Sequence, residues 1–262
     1  MAEAAATELP EVTISESAGV RYLHLGTPWI QGAMRIDEPL VIELEYVRRM
    51  MVWMLAMDAA AFAGAHAVQL GLGAGAITRF CSKRLKMRTT AVELNPHVVA
   101  ACRHWFRLPA SAPGFEVLET DAQRFVDDER RRGTVDVLCV DLYDHEAASP
   151  VLDSGAFYRA CFGLLAEGGV MTVNLFGHNA SFETSTRRIA AAFGSERVLT
   201  LQPTKEGNTV VLAMKHVTLP ARDELARRAE NIETRWQLPA RKWLRMMRPV
   251  AQGPVNATGG LA

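Results

Sequence analysis

Residues 66–80, HAVQLGLGAGAITRF, constrain this chain more than any other stretch. An apolar run leads into three glycines on alternate positions, Gly71, Gly73 and Gly75, and an amphipathic segment begins directly after them. Extended chain, glycine turn and helix in succession build the first βα unit of an open α/β sheet. Glycine serves such a turn in two ways: a Cβ there blocks close approach of a ligand to the backbone, and some of these positions need positive φ. What lies against the turn is then a pyrophosphate, a nucleoside or packed chain.

Beyond the turn, short apolar runs alternate with amphipathic segments. This rhythm predicts strands at AVQLGL, TTAVEL, FEVLET, VDVLCVDLY, GVMTVNLF, RVLTLQP and NTVVLAMKH. Helices are expected over 77–85, 96–105, 122–131, 154–165 and 182–193. Strands that read as continuous apolar runs are covered on both faces, as in a parallel sheet, so the fold class is α/β with a doubly wound sheet. Ahead of it, VTISE, VRYLHL and PWIQGAM, parted by the turn signals SAG and GTP, predict a small N-terminal β-hairpin element. The expected division is a disordered tail at 1–11, the β element at 12–38, and the sheet domain at 39–218. A charged C-terminal helix or helix pair with a flexible tail follows at 219–262.

At 262 residues the chain can bury a substantial core in one large domain. Residues 50–68, MMVWMLAMDAAAFAGAHAV, are nearly long enough to cross a membrane. Asp58 and His66 interrupt them and a strand pattern follows, so a buried core helix is expected, within a helical pattern over 39–63. Lys plus Arg and Asp plus Glu stand at 29 each, a balance that calls for neither nucleic acid nor a membrane surface. Cys81, Cys102, Cys139 and Cys161 form neither a CxxC nor a Cys/His cluster. No metal and no disulfide framework is therefore expected, and the setting reads as reduced and cytoplasmic. The acidic N-terminus has no apolar h-region, which argues against secretion and makes the sequons at Asn179 and Asn256 chance occurrences. The basic stretch RWQLPARKWLRMMRP reads as an amphipathic helix that packs its Trp, Leu and Met side chains on the domain.

In an open α/β sheet, ligands sit beyond the carboxyl ends of the strands, and acids cluster there in this chain. The first strand ends in the glycines, the second at Glu93, the third reaches Asp121 and the fourth delivers Asp141 and Asp144. Gly71, Gly73 and Ala76 also satisfy the loose dinucleotide pattern, with Glu93 available for a ribose. The later acids favour an adenosyl ligand: Glu93 can hold the ribose hydroxyls and Asp121 can accept from the adenine amine, whereas a dinucleotide leaves Asp121 and the DLYD pair idle. Asp121 before AQRF is equally what a helix N-cap requires. Asn95, with Pro96 at the first helical position, is the cap expected after the second strand, which frees Glu93 for a ligand.

The series VQLGLGAGAITRF, TAVELNPHVV, LETDAQRFV, VDVLCVDLYD and FYRACFGLLAEGGVMTVNLFG, with WIQGAMR before it, resembles the polyamine aminopropyltransferases, the spermidine synthase family, over about residues 12–215. The resemblance implies a Rossmann-like domain of the adenosylmethionine methyltransferase type and a homodimer. It also implies a polyamine substrate and decarboxylated S-adenosylmethionine as co-substrate, without metal. By that resemblance Gln31 contacts the nucleoside, Glu93 its ribose and Asp121, with Ala122, its adenine; Gly71, Gly73 and Gly75 form the cofactor loop. Asp141 and Asp144 match the pair that binds the attacking amine. Asp144 is the expected proton acceptor, Asp141 steadies the amine or sulfonium, and Tyr143 and Tyr46 shape the channel. Glu43, Glu45 and Glu146 are candidates for the far end of a diamine. Three places depart from the family: Ala74 where its loop carries an aspartate, His145 where proline is usual, and LEYVRRMM for its Y-H-E segment.

Three activities fit these residues. The first is aminopropyl transfer to a diamine such as putrescine. The second is methyl transfer from intact S-adenosylmethionine, which Ala74 favours because an aspartate there repels the donor's carboxylate. The third is adenosyl binding or scaffolding without catalysis.

Overall fold

The computed structural model describes residues 9–142, 152–176 and 180–250, with the side chain of Ala180 left aside. Three strands, β1 (Val12–Ser17), β2 (Val20–Leu25) and β3 (Gly32–Arg35), form an antiparallel sheet of their own in that order. The three runs VTISE, VRYLHL and PWIQGAM each supply one of its strands. The segment before β1 is anchored over the part that is described: Gly26 N donates to Glu11 O at 2.9 Å and Asn95 Nδ2 to Pro10 O at 3.0 Å. Residues 1–8 of the expected tail lie outside the described residues.

The helix expected over 39–63 is not continuous. It is a short α1 (Glu45–Met50) followed by two 3-10 turns, Met51–Leu55 and Ala59–Gly64, the second capped by Asp58, whose side chain accepts from Ala60 N at 2.9 Å. Met51 to Leu55 are buried all round, so the path of this segment answers to the core on every side rather than to one amphipathic stripe. Among the described residues no helix is long and apolar enough to cross a membrane.

The chain then enters β4 (His66–Leu70), α2 (Ala76–Arg79), β5 (Arg88–Glu93), α3 (Pro96–Trp105), β6 (Phe115–Glu119), α4 (Ala122–Val126) and β7 (Val135–Val140). It continues through α5 (Gly155–Leu164), β8 (Leu165–Phe176), α6 (Ala180–Phe193), β9 (Val198–Leu201) and β10 (Asn208–Met214), and ends in α7 (Arg222–Trp236), α8 (Ala240–Met246) and β11 (Met247–Pro249). Two expected helices are cut short. After α2 the chain loosens into a π turn, Phe80–Arg84. After α4 it breaks because Asp128 takes the backbone N–H of Arg130 at 3.1 Å and starts a separate 3-10 turn.

The large sheet has the strand order β11-β9-β10-β8-β7-β4-β5-β6. From β8 to β6 the strands are parallel, as doubly wound chain requires, while β10, β9 and β11 are antiparallel to their neighbours. The parallel sheet read from the apolar runs therefore gains an antiparallel edge. Its direction follows from the connection, since only six residues separate β9 from β10 and a parallel crossover needs about a dozen.

One face of the sheet packs against α1, the 3-10 turns, α7 and α8, where Trp53, Phe62, Trp236 and Trp243 meet in one apolar cluster. Phe62 lies 5.2 Å from the Trp53 ring and 5.6 Å from that of Trp236. Of the basic C-terminal stretch, Trp236, Leu238, Trp243 and Met246 are buried here and Leu244 and Met247 pack against them half-buried, as expected of a packing helix. The other face carries α4, α5 and α6 through Phe125, Phe157, Tyr158 and Phe193. A third cluster joins Leu23 and Met34 of the small sheet to Leu72 and Ala74 of the glycine turn and to α3. That last contact brings the N-terminal strands to the carboxyl ends of the parallel ones.

Candidate active site

β4 has β5 on one side and β7 on the other, so the winding reverses between β4 and β7. The strand ends there are laddered: Asp141 N donates to Leu70 O at 2.9 Å, Gly71 N to Val92 O at 2.9 Å and Thr120 N to Glu93 O at 3.0 Å. Beyond them opens a cavity of about 700 Å³, a size that takes a small organic ligand. Gly71, Gly73, Glu93, Asp121, Ala122 and Asp141 line it from the strand ends, Gln31 and Tyr46 from the N-terminal part, and Asn174, Glu206 and Asn208 from the antiparallel edge.

Gly71, Gly73 and Gly75 all have positive φ, as the turn was expected to need. The close approach they permit is first of all to the protein itself. A Cβ on Gly71 would run into Asp141 O, and one on Gly73 would stand 2.9 Å from Gln31 O. Gly75 does not line the cavity; it precedes α2 in the left-handed conformation and packs against Leu72 and Leu108. The turn is held from behind by Gln69, whose amide nitrogen Nε2 donates to Gly71 O at 2.7 Å and Leu72 O at 3.2 Å while Oε1 accepts from Thr78 N at 3.0 Å. Arg79, buried, donates to Ala74 O and to Pro39 O, and burial pushes its guanidinium down to about 10. A space of about 20 Å³ between Ala74, Gln69, Tyr46 and Asp141 has room for one water-sized group and no more.

Glu93 is less free than the Asn95 cap had implied. Asn95 does cap α3 through His97 N at 2.9 Å, but the Glu93 carboxylate itself accepts from Leu72 N and from Asn95 N, both at 2.9 Å. Burial raises its pKa from the usual carboxylate value against the lowering effect of those backbone donors. The acid and the glycine turn are thus one hydrogen-bonded unit. Asp121 Oδ1 caps α4 through Arg124 N at 3.0 Å, and the residue also lines the cavity.

Asp141 is held differently. Asn174 Nδ2 donates to Oδ1 at 2.9 Å and Tyr46 Oη to Oδ2 at 3.2 Å, and Asn208 Nδ2 donates to Asn174 Oδ1 at 3.2 Å behind them. Burial raises the pKa of Asp141, and the Asn174 and Tyr46 hydrogen bonds oppose the rise. Tyr143, Asp144, His145 and Glu146 lie outside the described residues.

Six carboxylates line the cavity, Glu43, Glu45, Glu93, Asp121, Asp141 and Glu206, and among the described lining residues there is no Lys, Arg or His. Glu43 is paired with Arg35 at 2.7 Å, and Glu45 with Arg49 and Lys242, each at 3.0 Å. Burial pushes Glu45 up, yet Lys242 and Arg49 bring it below its ordinary value. In a chain whose formal net charge is zero, this is a local excess of negative charge, suited to a cationic ligand.

Gln69, Asn174, Asn208 and Glu206 were not foreseen. Gln69 and Asn174 carried a signal, each being a polar residue inside an apolar strand run, HAVQLGL and MTVNLF.

No protein-family model matches the chain. It is 33% identical over 237 residues to a polyamine aminopropyltransferase of Neisseria meningitidis serogroup A, covering 90% of this chain and 88% of the relative. In fold it is similar to a probable spermidine synthase from Corynebacterium glutamicum, with TM-score 0.69 and 18% identity over 85% of this chain and 83% of that one. It is also similar to human methyltransferase-like protein 13 in complex with SAH, with TM-score 0.62 and 18% identity over 82% of this chain and 98% of that one.

Proposed function

The chain belongs to the polyamine aminopropyltransferase family and is a transferase; from that premise we propose that it moves an aminopropyl group from decarboxylated S-adenosylmethionine to a diamine such as putrescine. The observation that carries this reading is the charge of the cavity, six lining carboxylates with no basic residue among the described lining. The donor has a sulfonium and an ammonium, and the acceptor is a diammonium. Both are cations throughout.

Glu93 binds the ribose hydroxyls with its remaining lone pairs, Asp121 accepts from the adenine amine with the oxygen that does not cap α4, and Gln31 contacts the nucleoside. The space at Ala74 takes no more than a water-sized group, so the aminopropyl tail lies in the main cavity, which Asp141 also lines. A primary amine has a pKa of about 10.4 and arrives protonated. Asp141 pairs with that ammonium and aligns nitrogen with the methylene next to sulfur, and Asp144 is the proton acceptor of the proposal. The nitrogen lone pair forms the new N–C bond as the C–S bond breaks, and its electrons neutralise the sulfonium to a thioether, 5′-methylthioadenosine. Glu43 and Glu45 already bind cations, which leaves Glu206 at the rim for the far ammonium.

Incubation with decarboxylated donor and putrescine should release one 5′-methylthioadenosine per spermidine formed. No nucleoside release with any polyamine refutes the proposal. Methyl transfer from intact S-adenosylmethionine keeps the support of Ala74, but that donor's carboxylate meets no basic residue among the described lining residues. Calorimetric titration of both donors separates the two readings, and tighter binding of the carboxylated one favours methyl transfer.

A further inference from the structure

Large apolar side chains that stay exposed are unevenly spread over this molecule. Among the described residues they are Leu9 at 37%, Trp29 at 60%, Ile30 at 45%, Leu94 at 54% and Trp105 at 44%, and the first four all line the 700 Å³ cavity. They come from three separate stretches of chain: the segment before β1, the loop between β2 and β3, and the residue after Glu93. Exposed apolar side chains scattered singly need no explanation, whereas a cluster of them at one opening marks a surface that something covers.

The backbone that carries them is tied down. His24 Nδ1 lies 3.2 Å from Pro28 O and 3.1 Å from Trp29 O, Gln31 N donates to Leu23 O at 2.9 Å, and Asn95 Nδ2 reaches Pro10 O at 3.0 Å. The Trp29 indole is therefore held in water by an anchored loop. The Pro10 to Asn95 bond sets this rim at the Glu93 end of the cavity, with Leu94 beside it and Ala122 on the lining. A flat aromatic group entering there has apolar area to cover on both sides.

We infer that Trp29, with Ile30 and Leu9, seals the nucleobase of the adenosyl substrate against Leu94 and Ala122. The inference rests on the functional reading above. It adds a binding residue from the N-terminal sheet, on the loop just before Gln31.

The test uses the full chain and 5′-methylthioadenosine, followed in parallel by calorimetry and by tryptophan emission. Trp53, Trp236 and Trp243 are buried and none of them lines the cavity, and Trp105 lies off it, so Trp29 is the indole placed to respond. Nucleoside binding should change the emission of the wild type and of Trp105→Phe, but not of Trp29→Phe. Trp29→Ala should weaken the calorimetric Kd by about tenfold, in line with loss of one base stack, while Trp29→Phe keeps a ring and stays within about threefold. If the nucleoside binds and Trp29→Phe still shows the full emission change, or Trp29→Ala binds as tightly as wild type, the inference is overturned and the functional reading stands. If calorimetry detects no nucleoside binding to the wild type, both fall.

Discussion

At one end of the cavity Glu93 and Asp121 are positioned by backbone N–H groups, those of Leu72, Asn95 and Arg124. At the other, Asp141 is positioned by side chains, Asn174 and Tyr46, with Asn208 behind. The difference has a physical consequence. Backbone donors persist through almost any substitution of the residue that bears them, so the Glu93 end depends on turn geometry and on glycine. Side-chain donors are removable one at a time, so the electrostatics of Asp141 can be adjusted without disturbing the fold.

The largest expected effect separates the two ends outright. Asp141→Asn should lower kcat/KM by about 10³-fold, the loss expected when the attacking amine is no longer paired and aligned for proton transfer to Asp144, while nucleoside affinity stays within about threefold of wild type. A loss smaller than tenfold would mean that Asp141 serves the strand end and not the amine. Next comes Gly71→Ala, which forces a Cβ onto Asp141 O at a φ of +83°. A destabilisation of roughly 3 kcal/mol, seen as a melting temperature lower by about 6–12 °C, is expected from scanning calorimetry. An unchanged melting point would show that the turn can relax, and that the Glu93 end is not set by glycine.

Asp121 divides structure from binding within one residue. Asp121→Asn keeps a good N-cap and should change stability by no more than about 0.5 kcal/mol, whereas Asp121→Ala should cost about 1 kcal/mol. Both should weaken binding of 5′-methylthioadenosine by about tenfold; wild-type affinity in both variants would reduce Asp121 to a cap. The smallest effect is a displacement on the pH axis. Burial raises the Asp141 pKa, and Asn174 and Tyr46 lower it by stabilising the charged form. Removing either donor leaves burial less opposed, so the pKa rises and the acid limb of kcat/KM moves to higher pH, further for Asn174→Ala than for Tyr46→Phe. Movement to lower pH in either variant would contradict this account of Asp141.

The legibility of this chain follows the same division. The βα rhythm, the glycine turn, the acids after β5, β6 and β7, and the Asn95 cap are local patterns, each set by a few consecutive residues. The broken helix over 39–63 was not legible, because Met51 to Leu55 are apolar on every side and no stripe reveals the path. Neither was the antiparallel edge, which brings Asn174 opposite Val210 and Asn208 opposite Phe176.

Periodicity, turn residues and acid placement in the chain were enough to specify an α/β sheet with carboxylates beyond its parallel strands, since side-chain alternation and glycine's freedom at positive φ act over a few residues. Packing alone decided that Gly71 yields to a carbonyl of β7's end and that Glu93 is tied to Leu72. It likewise set Asn174 of β8 against Asp141, with Asn208 of the neighbouring β10 behind it. Those contacts join residues far apart along the chain, and a strand's partner depends on the burial of the whole sheet rather than on the strand's own residues.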